Sequence, residues 1–89
     1  MTAVGIDTHK NSLAACLVDD LGTPLAERTF RNDPEGHVAL GAWIRAVAPD
    51  ATIGIEGSSS YGAALARALL AGGATVREVP LACWTVART

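Results

Sequence analysis

Ala3-Val4-Gly5-Ile6-Asp7 is a short apolar run that ends on an acid, and Thr52-Ile53-Gly54-Ile55-Glu56 repeats the pattern. Brief apolar runs rich in β-branched residues and bounded by polar ones read as strands. Both acids then stand at the carboxyl ends of strands, where open α/β sheets place their ligand crevice. If the two strands are parallel neighbours, about 4.8 Å apart, their carboxylates converge. Converging carboxylates repel unless one is protonated or a cation lies between them. Hard oxygen ligands favour Mg2+ or Mn2+, ions that serve phosphoryl transfer. Acids at strand ends are also often solvated loop residues, and two acids complete no site, so spacing alone leaves both readings open.

Outward from these strands, Ser12 to Val18 carries Leu13, Leu17 and Val18 among small residues and reads as a second buried strand. Asp19-Asp20-Leu21-Gly22 has turn chemistry. Leu25-Ala26-Glu27-Arg28-Thr29-Phe30 then mixes polar and apolar positions, as an exposed edge strand does. Three strands joined by short turns make an antiparallel meander, because parallel neighbours need a crossover of about a dozen residues. A helix follows, with Asp33 as cap, Pro34 in its first turn and Leu40, Trp43, Ile44 and Val47 in one apolar stripe, ended by Pro49-Asp50. His37, early in this helix, reads as a surface residue.

After Glu56 come Gly57 and three serines, Ser58 to Ser60, which read as caps of a second helix running from about Tyr61 to Leu70. No His and acid accompany them at a spacing that would make a serine nucleophilic. Leu65 and Leu69 point inward, Gly72-Gly73 closes the helix, and Thr75 to Val79 forms a last strand. The expected fold is one α/β domain over residues 1–80 with a mixed sheet and the order β-β-β-α-β-α-β. Residues 81–89 have no clear period and read as a tail.

Composition narrows the class without naming a function. Of 89 residues 49% are hydrophobic and 18% charged, which belongs to a globular chain. Seven basic and nine acidic side chains form no cationic stripe, so composition alone does not indicate nucleic acid. Cys16 and Cys83 have neither zinc spacing nor a disulfide framework and read as reduced thiols. The chain opens without a signal-like segment and has no run of about 18 apolar residues, so a soluble, cytoplasmic protein is expected, with no membrane partner.

Three segments in order, Val4-Gly5-Ile6-Asp7-Thr8-His9-Lys10, Asn32-Asp33-Pro34-Glu35-Gly36 and Gly54-Ile55-Glu56-Gly57-Ser58-Ser59-Ser60-Tyr61-Gly62, resemble the DEDD transposases of the IS-one-ten insertion-sequence family. Their amino-terminal domain is similar to that of RuvC-type Holliday-junction resolvases, which are ribonuclease-H-like. The resemblance runs from about Val4 to Val79. It implies that Asp7 and Glu56 are catalytic acids binding divalent metal, Mg2+ or Mn2+, for DNA strand cleavage and exchange during transposition. The family's other two acids, in a Lys-Ser/Thr-Asp-x-x-Asp motif on a downstream helix, and a second domain with a nucleophilic serine fall beyond this chain. By the same resemblance the partners are DNA and, through the second domain, guide RNA, with a homo-oligomer at full length.

Lys10 and His9, just past Asp7, are candidates to contact a substrate phosphate, Lys10 as a point charge and His9 as a donor. Tyr61 follows the second acid and is a candidate to line the acid cleft. Arg28, Arg31 and Arg67 are scattered and read as solvated. With half its ligands outside the chain, this domain is expected to bind metal weakly and to cleave no DNA alone. Two other functions compete: a noncatalytic remnant or interaction domain, and a sugar-kinase or actin-like nucleotide-binding half. The latter opens similarly, yet Thr8 and His9 stand where its phosphate-approaching glycine belongs.

Overall fold

Backbone pairing begins with β1 (Ala3–Thr8), β2 (Ser12–Val18) and β3 (Pro24–Arg31) in the computed structural model, which describes residues 2–57 and 60–78. The β1–β2 turn closes with the His9 N–H donating to the Ser12 carbonyl at 2.9 Å. In the β2–β3 turn Asp19 Oδ1 accepts from the backbone N–H groups of Leu21 and Thr23, both at 2.9 Å. A single carboxylate thus satisfies two turn donors, which is why Asp opens such turns.

The chain leaves β3 through Asn32 and Asp33 into α1 (Pro34–Val47). Asp33 is extended and its Oδ1 accepts from the Gly36 N–H at 2.7 Å, the N-cap bond that satisfies an orphan donor of the first turn. Gly36 packs so close to β3 that a Cβ on it would stand 1.8 Å from the Arg31 carbonyl oxygen. After α1 come β4 (Thr52–Glu56), α2 (Ala63–Ala71) and the short β5 (Val76–Glu78).

The sheet order is β3-β2-β1-β4-β5. Strands β1, β2 and β3 pair antiparallel, whereas β4 pairs parallel with both β1 and β5. The crossovers through α1 and α2 proceed in the same direction across the sheet. Right-handed connections therefore put both helices on one face. There Val4, Ile6, Leu13, Ile53 and Ile55 meet Leu40 and Ile44 of α1 and Leu65 and Leu69 of α2 in one buried cluster. Phe30 extends it toward the β3 edge, its ring 5.9 Å from that of Trp43. Among the described residues no helix is long and apolar enough to cross a membrane.

The meander, the exposed edge strand β3, the Asp33 cap and the element order match the sequence reading. Three expectations are corrected. Val47 is 43% exposed, because Ala48 and Ala51, both buried, cover that end of the core instead. His37 is buried at 8% exposure, because the first turn of α1 lies against the Asn32 side chain. The second helix starts at Ala63 with Gly62 as its N-cap and no side-chain cap bond, so Ser60 does not cap it. The Gly57 carbonyl instead gathers the N–H groups of Ser60 and Gly62 at 3.0 and 2.8 Å and the Ser60 hydroxyl at 3.3 Å, a turn that delays the helix. Ser58, Ser59, Val79 at the end of the last strand, the boundary at residue 80 and the tail 81–89 lie outside the described residues.

Candidate metal centre

Side chains alternate across a strand, so with Val4, Ile6, Ile53 and Ile55 turned to the helices, Asp7 and Glu56 belong to the opposite set. The parallel ladder pairs Gly5 with Gly54, Ile6 with Ile55 and, as its last step, Asp7 with Glu56. The two acids are therefore directly in register at the carboxyl end of adjacent central strands. A slip of one strand by one residue would turn its acid toward the core and break the pair.

The chain is tied off immediately beyond this step. Thr8 Oγ1 donates to the Glu56 carbonyl at 2.7 Å, which continues the β1–β4 connection after the ladder stops. Gly57 then takes φ +75°, a conformation rarely open to a residue with a Cβ, and turns the chain away from the sheet. Its neighbour Glu56 stays at the strand end with its side chain half-buried and its Oε2 shielded from solvent.

Asp7 is a quarter exposed, and His9 Nε2 stands 3.3 Å from its Oδ2. His9 is itself 60% exposed, so this pair is screened and contributes little to stability. Lys10 is exposed on the β1–β2 turn, and Tyr61 is exposed just before α2. Arg31, although 83% exposed, pairs with Asp33 Oδ2 at 3.0 Å, and Arg28 lies 5.8 Å over the Phe30 ring.

Two in-register carboxylates, one with a buried oxygen, are hard donors that fit a divalent cation. Among the described residues no group of three or more His, Cys, Asp or Glu side chains forms a metal-binding cluster. Asp7 and Glu56 are thus a pair of acids rather than a complete ligand set among the described residues. A recess of about 560 Å3 lies behind the sheet, between α1 and α2, lined in part by Gly41, Ile44, Arg45 and Leu69. Asp50 is the one acid among its lining residues, so it holds no paired acids.

Sequence reasoning missed Asn32. Its Nδ2 donates to the carbonyls of His9 and Tyr61, both at 2.8 Å, and its Oδ1 meets His37 Nε2 at 2.8 Å. Asn32 opens the Asn-Asp-Pro-Glu-Gly segment immediately after a strand, the one available signal. A carboxamide's distant partners are not written in the local pattern.

A family model described as a DEDD transposase of the IS110 type matches residues 4–88. No curated protein matches the chain as a sequence relative. Among solved structures, the chain resembles the large terminase nuclease from thermophilic phage G20c at TM-score 0.65 and 19% identity, over 90% of this chain and 44% of that one. It resembles Thermus thermophilus RuvC at 0.64 and 18%, over 88% of this chain and 60% of RuvC. For RuvC in complex with a Holliday junction substrate the values are 0.66 and 16%, over 91% and 67%. The chain thus spans about half the length of the first two. At such identities the likeness establishes the fold, a RuvC-like member of the ribonuclease-H-like class.

Proposed function

The chain belongs to the DEDD transposases of the IS110 family, and we propose that it forms the amino-terminal RuvC-like domain of a metal-dependent enzyme that cleaves and exchanges DNA strands. In this reading Asp7 and Glu56 are the first two metal ligands, Mg2+ or Mn2+ is the ion, and DNA is the substrate. The observation that carries it is the in-register parallel pairing of Asp7 with Glu56 at the carboxyl end of the sheet. Structural acids rarely need such a placement, because two adjacent carboxylates repel each other in the absence of a cation.

A bound divalent ion would supply charge neutralisation and Lewis acidity at a scissile phosphate. The chain's own residues hold and aim the donors. Thr8 and Gly57 fix the strand ends, His9 orients Asp7, and burial of Glu56 Oε2 limits competition from water. Lys10 and His9, exposed on the turn beside Asp7, are the proposed contacts to a substrate phosphate, and Tyr61 lies on the other acid's loop. The remaining ligands and the broader DNA surface come from outside these residues, as does any contact with guide RNA or a second copy. The net charge of −2 agrees with that division, since phosphate binding elsewhere requires cationic surface.

Mn2+ binding, followed by calorimetry and by paramagnetic broadening of assigned NMR resonances, tests the reading. The expected result is weak uptake localised at Asp7 and Glu56 and lost in both Asp7→Ala and Glu56→Ala, with no DNA cleavage by the 89 residues alone. Uptake indifferent to both substitutions would overturn the assignment of the acids. Robust Asp7-dependent cleavage would overturn the partial-site reading.

A further inference from the structure

Each acid is followed by a turn, and one side chain connects the two turns. Asn32 lies between β3 and α1, remote in sequence from both acids. Its carboxamide nitrogen donates to the carbonyl of His9, two residues past Asp7, and to that of Tyr61, five residues past Glu56, at 2.8 Å each. The Asn32 backbone N–H also donates to the Asn11 carbonyl at 3.1 Å, a second tie to the β1–β2 turn. Both carboxamide N–H bonds are thereby used, one on each acid's loop.

The orientation of the carboxamide is dictated by its partners. Two carbonyl oxygens face one end, so that end must be the nitrogen, because a flipped amide would set its oxygen against both. The oxygen then faces His37 Nε2 at 2.8 Å, and His37 must be the donor. His37 is buried on α1, and burial holds its pKa below the ordinary 6.5 against the opposing pull of Asp33. It therefore stays neutral near pH 7 with its proton on Nε2, the tautomer that the Asn32 oxygen requires. Asp33 and Pro34 start the helix that carries His37, and Gly36 lets that helix approach β3. The same helix start that seats α1 on β3 therefore also brings His37 to the Asn32 carboxamide.

We infer that Asn32, held by His37, is a positioning residue for the two acids: it clamps the loop after Asp7 to the loop after Glu56 and so sets the separation of the paired carboxylates. This rests on the reading of Asp7 and Glu56 as metal ligands. The ladder sets their register, and the clamp stops the loops beyond it from splaying. Outer-shell groups of metal sites commonly contribute about 10-fold or more in affinity. Asn32 acts through the main chain and belongs at the low end of that range.

The test is made by NMR on the full chain. Without metal, the Asn32 side-chain NH2 protons are expected to exchange slowly; free exchange overturns the clamp whatever the metal does. With Mn2+, localised broadening at Asp7 and Glu56 in the unaltered chain is expected. Its absence defeats the metal reading, and the positioning role with it, even where the Asn32 protons remain protected. Given broadening, Asn32→Ala is expected to weaken Mn2+ affinity about 10-fold at a temperature where the fold persists. Asn32→Asp adds negative charge, and is nevertheless expected to weaken binding at least as much, because the oxygen that replaces Nδ2 faces two carbonyls. His37→Gln keeps an N–H donor and should hold affinity within about twofold, whereas His37→Ala should fall toward Asn32→Ala. Affinity unchanged in Asn32→Ala, or raised in Asn32→Asp, overturns the inference.

Discussion

The two faces of β1 and β4 make a direct comparison within one pair of strands. Toward the helices stand Val4, Ile6, Ile53 and Ile55, each no more than 1% exposed. On the alternate positions Ala3 pairs with Thr52, Gly5 with Gly54 and Asp7 with Glu56. One face has the shape and composition of a core, whereas the other, toward the carboxyl end, pairs two glycines and then two like charges. A sheet selected for stability alone has no use for the second arrangement. Adjacent carboxylates raise the energy of the folded chain, and glycines contribute no side-chain packing. The difference teaches that a core face and a face carrying the proposed ligand acids can be divided between side chains one position apart in the sequence.

That division should be visible in mutants. Ile55→Ala empties a fully buried position next to the acid, and is expected to lower the unfolding free energy by about 2–5 kcal/mol in a denaturant titration. Glu56→Gln, one residue on, should leave stability unchanged or raise it in metal-free buffer, since it removes a like-charge repulsion. A Glu56→Gln loss as large as that of Ile55→Ala would break the comparison.

Gly36→Ala is expected to have the next largest effect. In an open helix the change would stabilise by about 1 kcal/mol. Here the added Cβ meets the Arg31 carbonyl, so a net loss of about 1–3 kcal/mol is expected from the forced backbone shift. A stabilised Gly36→Ala protein would show that α1 can move away from β3 freely.

The smallest expected effect is the pH dependence contributed by His37. Its folded pKa lies below 6.5, so between those two values the unfolded chain binds the extra proton and the folded chain does not. Stability from this source is complete above about pH 6.5 and declines as pH falls toward the folded value. His37→Gln should flatten that part of the curve in thermal melts taken across pH. An unchanged slope would assign it to other groups and remove His37 from the neutral clamp.

Local patterns were the legible part of the chain. The runs Ala3 to Asp7 and Thr52 to Glu56, the Asp19 turn, the Asp33 cap and the Leu40 and Ile44 positions of the α1 stripe each depend on interactions within a few residues. The pairing of Asp7 with Glu56 was anticipated as a condition, that the two strands be parallel neighbours, and the sheet order meets it. His37, Val47 and Ser60 were misread because nothing local distinguishes a histidine facing Asn32 from one facing water. Nor does anything local show a helix end covered by Ala48 and Ala51, or a turn gathered around the Gly57 carbonyl.

The sequence by itself determined the element order, the acids at two strand ends and the family, because strand and helix periodicity and ordered motifs are short-range properties. Only the tertiary structure decided that those acids meet in register and that Asn32 joins their loops. Strand neighbours, and the partners of a side chain 23 and 29 residues away along the chain, are set by how the sheet closes around its core. No local propensity encodes that.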